Sequence, residues 1–430
     1  MVITVRQLGL PLGAAAKAKL PTNLTTNKHP VHRWMNFIAG FSPEFVSSCI
    51  QNSNTKKNFN LIDPFAGLST SLVQANLEGL PSVGFEVHPF FIDISRAKLG
   101  TYTTNEIHEL LAIAAKLKPY KGNLLEVWSD SAVGFLEKLI PETALRALAP
   151  VVVAEEKVRT ELRPLYRLIF SRVLELTSSS LTDGIYKAPT TRKGTISFED
   201  ALKRVTTDLL EDIDYLGPAH QNLATLHGTS SEKMTLLADG SCSICVTSPP
   251  YLNNFDFAEM TRMQLYFWRY AGSWGEITER VRRKLIVNTT TAPTDLKRDQ
   301  AARHDSLSSS FLSIVEPLVQ ELEAQKRVKA GKKDYYLLVY PYFSQMSAVF
   351  SELHRVLRPG SSLHLVVADS ALYGVHIEAE KLLAHLMEEQ GFYIQSIENL
   401  RTRGDRWILE KRQGANKPLG EFHIHAVREK

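Results

Sequence analysis

Two buried strands that are forced to stop constrain this chain more than any other feature. The apolar run FNLIDPFAG (59–67) breaks at Asp63-Pro64, and SCSICVTSPPY (241–251) breaks at Pro249-Pro250. Proline has no N–H for a ladder and biases the residue before it away from helix, so each strand gives way to a rigid, extended exit. The first exit leads into the helical pattern SLVQANLEG, stopped by Gly79. A second strand follows in LPSVGFEVHPF, ending at Glu86, with a helix after Pro89. Strand, helix, strand is a βαβ unit and predicts a parallel sheet with right-handed crossovers. Both proline turns then fall at the carboxyl ends of strands, where such sheets bind their ligands.

The 430 residues have room for two or three domains. Residues 1–57 read as an N-terminal helical segment that packs on the cofactor site, built around NKHPVHRWMNFIAGFSPEFVSSCI. The sheet core comprises 58–102, 221–255 and 334–430. Within it, NLATLHGTS, SCSICVT, YYLLVY and SSLHLVVADS read as strands, and MSAVFSELHRVLRPG as a helix. GFYIQSIENL and GEFHIHAVREK predict an antiparallel C-terminal hairpin around GANKPLG. Amphipathic helices fill 103–220, and 256–333 is aromatic first and basic later. Both interrupt the sheet as insertions.

No run of about 18 apolar residues is present, which excludes a spanning helix. Pro11 and two glycines interrupt the apolar patch at the amino terminus, arguing against a signal peptide. Three cysteines are too few for a disulfide framework and predict a cytoplasmic protein. Cys242 and Cys245 form a CxxC without a second ligand pair. They read as buried thiols, and no metal is expected. The net charge of +4 and pI near 8.7 lean towards polyanionic partners.

The turn DPFAGLST, with Glu86 about 20 residues on, is laid out as a nucleoside-cofactor site. Gly67 admits the ligand to the backbone, and the acid accepts from ribose hydroxyls. GxGxxG is absent, so a pyrophosphate cradle is poorly supported, while a ligand with a methionine moiety needs none. In TSPPY the chemistry is that of an amine. An exocyclic base amine is a poor nucleophile because its lone pair is delocalised into the ring. Acceptors that hold its N–H groups localise that pair and take up charge in the transition state. The Ser248 hydroxyl and the Pro249 carbonyl are such acceptors, and Tyr251 offers a stacking face. No cysteine follows the proline, so covalent attack on a ring carbon lacks its nucleophile.

The two motifs, in this order on a parallel sheet, resemble the DNA amino-methyltransferases. The TSPPY form resembles the serine version of their catalytic motif, typical of enzymes that make N4-methylcytosine. NKHPVHRWMNFIAGF is similar to the element preceding their cofactor loop, and HRVLRPGSSLHLVVADS to a later core strand. The resemblance implies a Rossmann-like methyltransferase fold, S-adenosyl-L-methionine (AdoMet) as cofactor and DNA as substrate. It also implies direct methyl transfer to the N4 of a flipped cytosine. A cognate restriction nuclease or defence-system component becomes an expected partner. By position it assigns Asp63, Pro64, Phe65, Ala66, Gly67, Glu86, His29 and Thr247 to the cofactor, and Ser248, Pro249, Pro250 and Tyr251 to catalysis. Two positions depart from the pattern: Ser69 replaces a second glycine, and HGTSSEK stands where Gly-Asp is usual.

His29 and His32 read as ordering the segment or touching cofactor, and Trp34 and Phe37 as core. Asn253, Asn254 and Asp256 divide between base pocket and turn, as does Asp369. Nucleic-acid contacts are expected from Arg280, Arg282, Arg283 and Lys284, which follow a cluster of aromatics. Lys187, Arg192 and Lys193 are expected to contribute from a polar loop, YKAPTTRKGT. Alternatives are adenine N6 as the target, since adenine enzymes more often carry Asp or Asn at Ser248, then an RNA base amine. A non-catalytic nucleic-acid-binding protein on the same scaffold is the third.

Overall fold

The computed structural model describes residues 26, 28–35, 40–53, 59–183, 186–218, 220–253, 256–289, 291, 293–329, 333–403 and 419–429. For 181–183, 186–192, 293, 329 and 403 it describes the backbone alone. In chain order the strands are β1 (Leu61–Asp63), β2 (Ser82–Phe85), β3 (Ser180–Asp183), β4 (Tyr186–Arg192), β5 (Ala224–His227), β6 (Cys242–Thr247), β7 (Leu357–Ala368), β8 (Ser370–Leu372), β9 (Val375–Ile377), β10 (Phe392–Arg403) and β11 (Leu419–Arg428). Seven form one sheet in the order β10-β11-β7-β6-β1-β2-β5. The pairs among β7, β6, β1, β2 and β5 are parallel, and β11 runs antiparallel to both its neighbours. This is the Rossmann-like methyltransferase fold with an antiparallel C-terminal hairpin.

The central strands are short because both faces are covered. Every residue of β1, β2 and β6 is buried, the mark of interior parallel strands. Alternation then assigns the faces. Leu61, Ile244 and Val246 pack with Phe45 and Val46 of helix Pro43–Asn52. Ile62 and Cys245 pack with Phe343 and Phe350 of helix Val339–Val356. A layer of helix on each face removes the sheet from water.

The helices of 104–216 join the same core as the cofactor side of the sheet. Phe170 and Leu174 of helix Arg163–Thr177, and Leu209 of helix Phe198–Leu216, share a cluster with Leu72, Phe90 and Ile94. Local signals set the helix starts: Thr103 and Glu106 form a reciprocal capping box, and Pro89 begins its helix in the first turn, where its missing N–H is harmless.

Two expectations are corrected. YYLLVY is a 3-10 turn, Tyr335–Leu338, running into helix Val339–Val356. A short apolar run has no period that separates strand from buried helix, and Pro341 falls in the first turn, where helix tolerates it. YKAPTTRKGT is not a loop throughout, since Tyr186–Arg192 is a strand paired antiparallel with β3. No helix among the described residues is long and apolar enough to cross a membrane.

Candidate active site

Strands β1 and β6 are neighbours, and the order reverses between them. β2 and β5 follow β1 towards one edge, and β7 lies beyond β6 towards the other. A crevice opens at such a switch point because the two exit loops diverge. Here those loops are the two proline turns, and both line one cavity of about 200 Å³.

Asp63 joins them. Its carboxylate, 1% exposed, accepts from Phe65 N (3.0 Å), the Ser71 hydroxyl (2.5 Å) and the Thr247 hydroxyl (2.7 Å). One carboxylate thus fixes the cofactor loop, the first turn of helix Thr70–Leu77 and the residue before Ser248. Burial pushes its pKa up to about 6, against those three donors. Thr247 is buried beneath the site and acts through Asp63; it does not line the cavity.

The cofactor loop turns through Gly67 (φ 53°) and Ser69 (φ 60°), both left-handed. That conformation is free for glycine and strained for serine, which accounts physically for the glycine usual at position 69. Glu86, at the cavity wall, accepts from Gly67 N (2.9 Å), Val87 N (2.8 Å) and His88 N (2.7 Å). Burial raises its carboxyl to about 7. Met35, Phe41, Phe65, Val87 and Phe91 supply apolar lining. An acid with spare lone pairs beside apolar and aromatic walls fits a nucleoside, with Glu86 towards the sugar hydroxyls. His29 does not line this cavity; its ring lies 2.9 Å from the Glu44 carboxylate. His32 is buried against Gln74, and Trp34 is core, donating its indole N–H to Asp212 at 2.8 Å. Phe37 lies outside the described residues.

The catalytic loop is held from far along the chain. The buried Tyr342 hydroxyl donates to the Pro250 carbonyl (2.9 Å), whereas no side chain among the described residues donates to the Pro249 carbonyl. The Tyr251 hydroxyl donates to Glu421 (2.9 Å), whose other oxygen accepts from Arg401 Nε (2.6 Å). Ser248, Pro249, Pro250, Tyr251, Arg401 and Glu421 all line the cavity. Asp369 supports this arrangement from below, accepting from Gly420 N (2.8 Å) and lying 2.6 Å from His376. Asp256 belongs to the turn: it caps helix Phe257–Met260 and does not line the cavity. Asn253 is half-buried beyond Tyr251, and Asn254 lies outside the described residues.

The basic run divides. Arg282 is 9% exposed, bonds Asp256 at 2.6 Å and stacks on Trp274, so the expected nucleic-acid contact is corrected there to an internal brace. Arg280 pairs with Glu276 (3.1 Å), and Arg283 with Glu279 and with Asp295 (3.1 Å). Lys284 is exposed and lines the cavity. Lys193 Nζ donates to the Glu175 carbonyl (2.8 Å), near the end of helix Arg163–Thr177. The side chains of Lys187 and Arg192 lie outside the described residues. No cluster among the described residues could hold a metal, and the three cysteines are buried.

Sequence reasoning missed Lys98, Tyr342, Arg401 and Glu421. None carries a motif, and their only signal is position within helices or strands whose packing the chain order does not disclose.

No family model matches the sequence. The chain is 22% identical over 453 aligned positions to type II methyltransferase M.BsoBI of Geobacillus stearothermophilus, covering 95% of this chain and 86% of that protein. It is 23% identical over 397 positions to type II methyltransferase M.AvaI of Nostoc sp., covering 86% and 80%. To type II methyltransferase M.MjaII of Methanocaldococcus jannaschii it is 31% identical over 139 positions, covering 31% and 24%. Likeness over nearly the full length to type II methyltransferases agrees with the strand order and with two loops that meet at one switch point, and together these support an AdoMet-dependent DNA methyltransferase family for this chain.

Proposed function

We propose that this methyltransferase modifies the exocyclic N4 of cytosine flipped out of DNA, by direct displacement. The observation that carries the reading is one cavity lined both by Ser248 and Pro249 and by the Asp63–Gly67 loop with Glu86. AdoMet, when bound, supplies an electrophilic methyl group on a sulfonium. Ser248 and the Pro249 carbonyl accept from the amine N–H groups, draw its lone pair out of the ring and take the charge that develops on nitrogen. The Asp63–Gly67 loop and Glu86 would hold AdoMet so that its methyl passes to the amine nitrogen and S-adenosylhomocysteine leaves, while the nitrogen would lose one proton to solvent. Tyr251, held by Glu421, stacks on the base and keeps its amine in line.

Ser248 supports cytosine over adenine through the resemblance of TSPPY to the serine form of the catalytic motif, typical of enzymes that make N4-methylcytosine. Lys284 at the cavity mouth is the proposed phosphate contact, with Asn253 beside the base. The helical region 103–220, including Lys193, is the proposed target-recognition part, with Lys187 and Arg192 on its hairpin. Arg280 and Arg283 contribute only if DNA displaces their carboxylate partners. Nucleoside mass spectrometry of duplex DNA incubated with protein and AdoMet is expected to show N4-methylcytosine. N6-methyladenine alone would overturn the cytosine reading, and methylation of total RNA in preference to DNA would overturn the substrate.

A further inference from the structure

Lys98 is a buried cation with no carboxylate partner among the described residues. It lies in the last turn of helix Pro89–Leu99, is 3% exposed and lines the cavity. Its ammonium donates to the carbonyls of Met35 (3.1 Å) and Leu68 (3.4 Å), joining the N-terminal segment to the cofactor loop. Among the described residues no Asp or Glu forms an ion pair with it. The charge acting on it is that of Arg172, from helix Arg163–Thr177, and nearby His32 is kept neutral by burial. Burial, with Arg172 adding to it, lowers the lysine to about 7. The helix C-terminus and two carbonyls favour the cation but supply no counter-charge. An ammonium has three donors, and two are used.

We propose that Lys98 holds the carboxylate of an α-amino-acid moiety, that of AdoMet, and so forms the anion subsite of the cofactor pocket. The inference rests on the AdoMet reading of this cavity. Burial excludes a DNA phosphate, which cannot follow a side chain that water barely reaches. Of the cofactor's charged groups only the carboxylate is an anion. Leu68 is next to Gly67, which donates to Glu86, so a ligand with its ribose at Glu86 carries its amino-acid end past the same loop. Binding would bring the N-terminal segment, the loop and the ligand to one ammonium.

The test compares two ligands by calorimetry: S-adenosylhomocysteine, which has the carboxylate, and 5′-methylthioadenosine, which lacks the amino acid. The wild-type protein is expected to prefer the first by at least about thirtyfold, the scale of a buried charge pair. Lys98→Met is expected to abolish that preference and leave methylthioadenosine binding intact, while Lys98→Arg keeps part of it. A carboxylate favours the protonated lysine, so S-adenosylhomocysteine takes up a proton on binding above about pH 7. Repeating the titration in buffers of different ionisation enthalpy measures that uptake as the difference between the two ligands, since any proton that Glu86 releases is common to both. Equal losses of both ligands in Lys98→Met would make Lys98 a structural tie, and a wild-type protein without preference would overturn the proposal. If Lys98→Met fails to fold, wild-type binding of the carboxamide of S-adenosylhomocysteine decides: affinity equal to that of the acid overturns the subsite. Should wild type bind neither ligand, the AdoMet reading falls, an outcome distinct from binding without preference.

Discussion

The two loops of the site are built by opposite means. The cofactor loop is fastened mainly by near neighbours: Asp63 reaches Phe65 and Ser71, and Glu86 reaches Gly67. The catalytic loop is stiffened locally by its prolines but aimed by residues 92 and 170 positions away, Tyr342 and Glu421. The restraints on the nucleoside side thus lie within β1, β2 and the intervening helix, whereas those on the base side come from helix Val339–Val356 and the C-terminal hairpin. The Thr247 hydroxyl donates to Asp63, and the Ser71 hydroxyl lies 3.3 Å from the Val246 carbonyl, so the floor of the first loop is tied to that of the second.

The sharpest way to separate the loops is Ser248→Ala. It is expected to lower the methyl-transfer rate by about 10²–10³, the scale of one lost transition-state hydrogen-bond partner. S-adenosylhomocysteine affinity should not change, and a parallel loss of binding would break the division. Asp63→Ala should injure both loops at once. Stranding two hydroxyls and one N–H in the interior is expected to cost about 3 kcal/mol in denaturant unfolding. If only cofactor binding fell, the bond to Thr247 would be idle.

Glu421→Gln tests the remote brace. Removing the charge that Arg401 and Tyr251 share is expected to slow transfer about tenfold, on the scale of a charged hydrogen bond. Methylthioadenosine affinity should stay the same. For the cofactor side the corresponding test is pH. Glu86 titrates near 7 in the folded protein, ionised above and protonated below. The anion accepts ribose donors better, so methylthioadenosine affinity should fall roughly threefold as pH drops through 7, and Glu86→Gln should flatten the profile. The smallest effect is at Ser69→Gly. Relieving a left-handed serine is expected to stabilise the protein by up to about 1 kcal/mol, measured as a shift in unfolding midpoint.

The cofactor loop was legible because its restraints are local. Asp63, Pro64, Gly67 and Glu86 are close in sequence, and a βαβ unit brings them together. Ser248, Pro249, Pro250 and Tyr251 line one cavity as a group because they are consecutive residues at the end of one strand. Basic residues were read less well. Charge along the chain does not say which arginines have partners, and Arg282 turned inward because Asp256 and Trp274 offered a paired, stacked site. YYLLVY misled because a short apolar run fits strand and buried helix alike.

The sequence by itself determined that two strands end in proline turns, with an acid, Glu86, some 20 residues beyond the first and a serine, Ser248, directly before the prolines of the second. Those are covalent and local facts. Only the tertiary structure decided that β1 and β6 are neighbours, that one carboxylate spans their ends, and that Glu421 aims Tyr251 from the other end of the chain. It also placed Lys98 in the cavity wall with no carboxylate partner among the described residues. Pairing and burial depend on which distant surfaces meet, and spacing along the chain carries no record of that.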